Sequence, residues 1–299
     1  MASTREMRLR IGSVKNLAQV TRALETVSAS KVRKAIQAND RTRPYAERAW
    51  RILTDLASQP GHQTMHPLLA ERDEIKNVLV ILISSDRGLA GAYNVNVVRE
   101  ALSNFTNTDV PVSYLTVGKR GRDMLLRRRR NVVGEFSGLS ANPTYLESAP
   151  IGQLAVDEFL SHRADQVYVV YTDYKNMLHQ IPVVRKILPF SVPQTEEPIP
   201  GREAPVKSKL VFTYEPGQEE ILHGIIPDFT ALQIYQAILS ALASEHAARM
   251  VAMRNATNSA KDLVTLLQME YNKVRQAGIT NDMLDISGGA EALAQATAK

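Results

Sequence analysis

Residues able to do chemistry are sparse and scattered in this chain. It has no cysteine among its 299 residues, which removes disulfides, thiolate metal sites and thiol nucleophiles and suits a reducing compartment. Of six histidines, only His62 and His66 lie close together. They sit in a loop beside Pro67 rather than on a helix with a nearby carboxylate, so no metal site is expected. No Ser, His and Asp set has the spacing of a hydrolase motif. One stretch, Ser84-Ser85-Asp86-Arg87-Gly88-Leu89-Ala90-Gly91, stands where a phosphate loop would, after a strand. It lacks both the GxGxxG fingerprint and the GxxxxGK[ST] loop, and Gly118-Lys119-Arg120-Gly121 lacks the hydroxyl residue and the upstream glycine. The expectation is therefore a tight strand-to-helix turn, with Asp86 capping the following helix or holding the turn. No catalytic residue and no cofactor is assigned.

The elements that position these residues are easier to read. Asp228 to Ala277 has neither glycine nor proline and is rich in strong helix formers. It reads as one helix about 75 Å long, too long to stay within one globule. Its apolar residues recur at helical spacing: Leu232, Tyr235, Leu239, Leu242, Met250, Met253, Ala256, Ala260, Leu263 and Leu267. Such a stripe needs a partner along its length. His246 falls on this stripe and reads as a hydrogen-bonded packing residue.

At the other end, Ser3 and Glu6 have capping-box spacing, and Met7, Ile11, Val14, Leu17, Val20, Leu24 and Val27 follow a helical face. Pro44 should kink or end this helix, and helical pattern resumes over 45–56. Gln59-Pro60-Gly61 closes the region and 62–67 reads as a loop. From Lys76 the period changes: Val78 to Ile83 is a continuous apolar run of buried-strand type. Strand and helix then alternate: a helix over 97–105, strand 112–117, helix 119–126, strand 132–136, helix 154–160 and strand 167–171. This alternation implies a mainly parallel sheet covered on both faces. Segments 183–188 and 209–214 are candidate antiparallel edge strands, separated by a proline-rich loop over 193–205.

Both terminal helices attach to this inserted domain, so if they pair they run antiparallel. The expected fold class is α/β, with a long antiparallel helical coiled coil formed by the N- and C-terminal helices and an inserted Rossmann-like α/β domain. The expected domains are 1–60, 75–214 and 215–299. No run of eighteen uncharged apolar residues occurs, so no membrane span is expected.

The net charge of +5 is uneven: residues 1–51 carry twelve Lys and Arg against four Asp and Glu, while 228–299 carry six against seven. A basic arm suits nucleic acid, an anionic membrane surface or an acidic protein partner. The run Arg127 to Arg130 reads as a solvated helix end, favourable at the C-terminal dipole. On residue pattern alone, a nucleic-acid-binding α/β protein and a nucleotide-dependent enzyme stay open as alternatives.

The segment Ser244-Glu245-His246-Ala247-Ala248-Arg249-Met250, with Glu270-Tyr271-Asn272-Lys273-Val274-Arg275-Gln276-Ala277 and Ile279-Thr280, resembles the C-terminal signature of the gamma subunit of F-type ATP synthases. The N-terminal helix is similar through Ile11, Ser13, Val14, Asn16, Thr21, Ala23, Val27, Ser30 and Lys31, as is the loop from Ser85 to Gly91. The chain departs from the usual pattern at Ala90, Leu24 and Asp282. The resemblance implies a non-catalytic rotor shaft, its hairpin entering a head of alpha and beta subunits and its α/β base meeting epsilon and the membrane c-ring. It implies no cofactor and no nucleic acid, and a peripheral place on the cytoplasmic face of a bacterial plasma membrane. It also makes Arg249, Gln276, Thr280 and Asp282 candidates to touch a beta-subunit loop, and Tyr214 and Glu215 candidates to lie by the c-ring or epsilon.

Overall fold

The computed structural model describes residues 4–57, 67–72, 74–106, 108–190 and 218–297. Its elements are α1 (Thr4–Ala57), β1 (Val78–Ile83), α2 (Tyr93–Phe105), β2 (Val112–Val117), α3 (Lys119–Arg127), β3 (Asn131–Phe136), α4 (Tyr145–Leu160), β4 (Gln166–Tyr174), β5 (Gln180–Leu188) and α5 (Gln218–Thr297). They divide into a helical unit, Met1–Ser28 with Met250–Lys299, and an α/β unit, Ala29–Arg249.

In the α/β unit the strands are ordered β3-β2-β1-β4-β5. β1 is parallel to β2 and β4, β2 is parallel to β3, and β5 closes the edge antiparallel to β4. Side chains alternate across a strand, and here both faces are filled. Leu79, Ile81 and Ile83 face a core with Ile151, Val156 and Phe159 of α4 and Ile226 to Ala241 of α5. Val78, Val80 and Leu82 face Val97, Val98, Ala101 and Phe105 of α2 and Leu125 of α3. Burial on both sides explains why β1 reads as a continuous apolar run instead of an alternating one.

Three prolines, Pro44, Pro150 and Pro227, lie inside helices, and of these Pro44 was expected to kink or end its helix. The helix expected to begin at Leu154 starts at Tyr145, where Thr144 and Glu147 form a reciprocal capping box, and Pro150 lies within it. α1 likewise runs through Pro44. Each ring forfeits one backbone hydrogen bond, and the surrounding turns hold the helix. α4 approaches α5 so closely that a Cβ on Gly152 would stand 2.5 Å from the Ala231 Cα, which explains glycine there. The expected strand over 209–214, the loops over 62–66 and 193–205, and the His62 and His66 pair lie outside the described residues.

In the helical unit the contacts run in opposite senses along the two helices. Arg8 Nη2 donates to the Tyr271 hydroxyl at 2.8 Å, the Thr21 and Thr257 hydroxyls meet at 2.7 Å, and Arg254 Nε donates to Glu25 Oε1 at 2.8 Å. On α1 up to Ser28 the buried and half-buried positions are Met7, Ile11, Val14, Ala18, Thr21, Leu24, Glu25 and Ser28, so Leu24 of the expected face is half-buried; on α5 they include Met250, Met253, Thr257, Ala260, Val264, Leu267, Tyr271 and Val274. Steps of three and four keep each row facing its partner. This corrects the expected α1 face, since Leu17, Val20 and Val27 are each more than half exposed. Two tracks share Val14 and then diverge, and only the one through Ala18, Thr21 and Ser28 keeps the spacing set by Met7 and Ile11. On α5 the expected Leu263 is exposed and Val264 takes its place. The other residues of the expected stripe, Leu232 to Leu267, are buried or half-buried, whereas beyond it, from Arg275 to Ala290, every described side chain is exposed.

No run of eighteen uncharged apolar residues occurs, yet one part of α5 has the length and mean hydropathy, 1.3, of a membrane span. Of that window 67% is buried inside the protein, as in a core helix.

Candidate partner interface and the loop after β1

The loop after β1 takes its shape from bonds to α3 and to the turn after β3. Asp86 Oδ1 accepts the Lys119 amide at 3.0 Å and Oδ2 accepts the Gly138 amide at 2.8 Å. Ser84 Oγ accepts the Gly121 amide at 2.9 Å. The positive end of α3, where an anion would bind, thus holds a carboxylate and a hydroxyl of this chain itself. Asp86 caps α3 rather than the next helix in sequence. Gly118 opens α3 at φ 100°, and a Cβ there would stand 2.3 Å from the Ser84 carbonyl oxygen. These glycines serve close packing of the β1 loop on α3.

Ser85 is fixed from the other side. Its amide donates to Asn94 Oδ1 at 3.0 Å, and its carbonyl accepts the Arg120 amide at 3.0 Å. The loop then turns through Leu89, at φ 65°, a left-handed conformation unfavourable for a branched side chain. Immediately before it, the Gly88 carbonyl accepts from both Nε and Nη2 of Arg249 at 3.3 Å.

Arg249 is the centre of a buried polar cluster. Nη2 donates to Glu245 Oε1 at 2.5 Å, and Nη1 meets His246 Nδ1 at 3.1 Å. The Arg249 and Glu245 side chains are only 12% and 11% exposed. A guanidinium only donates, so His246 Nδ1 is the acceptor and the proton of the neutral ring sits on Nε2, which is buried and has no partner among the described residues. Burial, then the positive charges of Arg249 and Lys31, lowers His246 to about 4. Burial raises Glu245 in spite of Arg249. Tyr93, which donates to the Ala241 carbonyl at 3.2 Å, is raised well above its ordinary range by burial and then by Glu245. A shallow open depression lined by Ser84, Asp86, Tyr93, Gly118, Phe136 and Glu245 lies beside this cluster.

Among the described residues no group of three or more His, Cys, Asp or Glu side chains is placed to hold a metal. The residues expected to meet partners are placed differently from one another. Gln276, Thr280 and Asp282 are exposed on α5, with the Thr280 hydroxyl donating to the Gln276 carbonyl at 3.0 Å. Arg249 is directed to partners inside the α/β unit. Tyr214 and Glu215 lie outside the described residues. The sequence reading passed over Glu245, though Glu followed by Arg four residues later is a recognisable helical pair. Nothing in the sequence marks Gly88 as the carbonyl that completes the cluster.

Comparison with known proteins bears on the whole chain. The profile of the ATP synthase family matches residues 3–293. The chain is 44% identical to the ATP synthase gamma chain of Roseiflexus castenholzii over 299 residues, covering 99% of this chain and 100% of that one. It is 40% identical to the ATP synthase gamma chain of Dehalococcoides mccartyi over 295 residues, covering 98% and 100%. Among solved structures, a chain of the Euglena gracilis mitochondrial ATP synthase in its OSCP/F1/c-ring assembly shares the fold with a TM-score of 0.66 at 19% identity, covering 97% of this chain and 94% of that one. A chain of the Tetrahymena thermophila mitochondrial ATP synthase central stalk and c-ring gives 0.58 at 23% identity, covering 79% and 99%.

Proposed function

The chain belongs to the ATP synthase gamma chain family, and from that premise we propose that it is the central rotor shaft coupling ion flow through a membrane c-ring to ATP synthesis. As a gamma chain it is a non-catalytic subunit of the ATP synthase complex. The α1 and α5 segments of the helical unit form an antiparallel coiled coil that turns inside a head of alpha and beta subunits. The α/β unit meets epsilon and the c-ring, at the cytoplasmic face of a bacterial plasma membrane. One observation carries this reading: the described side chains of α5 from Arg275 onward are all exposed, Ile279, Met283, Leu284 and Ile286 among them. Apolar side chains gathered on one helix, with no cover from the described residues of their own chain, suit burial in a partner.

The mechanism follows from symmetry. A single shaft has no threefold axis, so its angle gives three equivalent beta subunits different contact free energies and hence different nucleotide affinities. Rotation exchanges those states. Gln276, Thr280 and Asp282 are the contacts to a beta-subunit loop, and Tyr214 and Glu215 are contacts to the c-ring or epsilon.

The test is assembly with alpha, beta and epsilon subunits, followed by single-molecule observation of a probe on the α/β unit. Rotation in one sense on addition of ATP is expected. An assembled complex that hydrolyses ATP while the probe stays still would sink the shaft reading. Calorimetry on the chain alone should show ATP bound no tighter than about millimolar, because the loop after β1 has no phosphate-cradling pattern.

A further inference from the structure

Arg249 is the last residue of the α/β unit along α5, and it is the point at which the helix is tied to the β1 loop. Along α5, the apolar contacts from Ile226 to Ala241 are non-directional surfaces, which resist separation better than sliding. Directional ties are few: the Tyr174 amide donates to Ser240 Oγ at 2.9 Å, the Ser244 hydroxyl donates to the Thr172 carbonyl at 3.0 Å, and Tyr93 donates to the Ala241 carbonyl. The Arg249 bonds to Gly88 come after all of these in sequence, and after the bonds that join α5 to Tyr145, Pro143 and Asp173, and they are made by a buried guanidinium of α5 held in place by a second charge on the same helix, Glu245.

We infer that the Arg249–Glu245 pair is a torque clamp: a positioning device that locks α5 to the Ser84–Gly91 loop so that a twist of the helix is passed to the sheet instead of being lost as slip. The clamp rests on the rotor reading and refines it, moving Arg249 from the set of partner contacts to an internal joint.

The chemistry of the joint fits this role. A guanidinium presents a planar fork of donors, and here three nitrogens serve a carboxylate, a carbonyl and an imidazole in one geometry. A lysine ammonium is a compact charge and cannot reproduce the fork. The receiving loop is itself anchored, through Asp86 to α3 and the turn after β3 and through Ser85 to Asn94 and Arg120. A pull on the Gly88 carbonyl is therefore distributed over three elements. Leu89, held at positive φ directly after the clamped carbonyl, is a residue that would relax if the carbonyl were released.

The experiment compares wild type, Arg249→Lys and Glu245→Gln in the complete membrane complex. Three quantities are read: ATP hydrolysis, ATP-driven ion pumping per ATP hydrolysed, and amide exchange of residues 85–91. For Arg249→Lys we expect assembly and hydrolysis near wild type, a several-fold fall in ions pumped per ATP, and loop exchange faster by about tenfold, as loss of a charged buried hydrogen bond implies. Glu245→Gln keeps the Gly88 bonds and should fall between, which preserves the test if the arginine variant fails to assemble. Faster loop exchange with unchanged pumping would overturn the clamp, since the joint would then be structural only. Reduced pumping with unchanged loop exchange would overturn it too, because Arg249 would then act on an outside partner. Wild type that hydrolyses ATP without any coupled pumping would instead reject the rotor reading.

Discussion

In the α/β unit Ile81, Leu82, Leu115 and Leu125 are wholly buried, while in the helical unit the hydroxyls of Thr21, Ser28 and Thr257 are buried and Leu17, Val20, Val27, Leu266 and Met269 are exposed. The first unit encloses two cores of apolar residues with its own elements, one on each face of the sheet, and leaves scattered apolar side chains such as Leu146 and Leu178 exposed. The second spends polar and small residues on a narrow seam between two helices and turns much of its apolar surface outward. A wide apolar face facing water is unfavourable in a free chain. It is consistent with a helix pair whose full environment comes from other subunits. The α/β unit is therefore stabilised from within, and on the proposed function the exposed face of the helical unit is covered by other subunits.

This contrast is broken most directly by truncating one apolar side chain from each unit. Phe159 is buried against β4 and also lies 4.5 Å under the Arg72 guanidinium. Phe159→Ala should cost about 3–5 kcal/mol in urea titration of the full chain. Leu284→Ala, on the exposed end of α5, should change the stability of the free chain by less than about 0.5 kcal/mol yet weaken assembly with alpha and beta subunits. Equal destabilisation by the two would mean that the helical unit builds a core of its own.

The α/β unit was legible because its signals are local and redundant. β1 and β2 keep the expected bounds, and β5 is antiparallel at the edge as expected, starting three residues earlier at Gln180. The helical unit was legible as helices but not as a seam. Leu17 and Val20 look like core by composition, and only the partner's position decides that Ala18 and Thr21 face inward. The first half of α4 was not read from the sequence, although Thr144 and Glu147 have the capping-box spacing that starts it. The clamp was legible by half: Glu245 and Arg249 are helical neighbours, but the Gly88 carbonyl, 161 residues away, leaves no trace in side-chain pattern.

A second prediction sharpens the comparison through pH, since the α/β unit encloses a titratable group that the helical seam has no counterpart for among the described residues. His246 has its ordinary value of 6.5 in the unfolded chain and about 4 in the folded one. Below 6.5 the unfolded chain takes up a proton that the folded chain refuses. Stability is therefore lost as pH falls from about 6.5 to about 4, by up to about 3 kcal/mol. Glu245 works the other way, because its raised value gives back some stability on acidification. The variant His246→Asn keeps an acceptor near the Nδ1 position and removes the titration. Its stability, followed at the amides of β1 and β4, should vary less than wild type over that range, and parallel curves for the two proteins would reject a buried neutral His246.

The smallest expected effect belongs to the hydroxyl pair in the helical seam. Thr21 Oγ1 lies within bonding distance of the Leu17 and Ala18 carbonyls and of Thr257 Oγ1, and Thr257 Oγ1 lies 2.8 Å from the Met253 carbonyl. Each hydroxyl has one proton, so both cannot serve their own helix and also bond across the seam: one donates to its partner and the other donates to a backbone carbonyl. Removing a single hydroxyl leaves the other with its own backbone acceptor, so Thr21→Val or Thr257→Val should each cost no more than about 1 kcal/mol. The double variant removes both polar groups while keeping the shape of the side chains, and should be neutral or slightly stabilising. What it gives up is register, because two valines tolerate a shift along the seam that a hydroxyl pair opposes. The measurement is a double-mutant cycle on the full chain by urea titration, with a disulfide introduced by Arg8→Cys and Tyr271→Cys reporting register through its rate of formation. A loss of more than about 2 kcal/mol in the double variant would show that the hydroxyl pair is a main support of the helical unit. That would remove the contrast with the α/β unit, since both would then be stabilised chiefly from within.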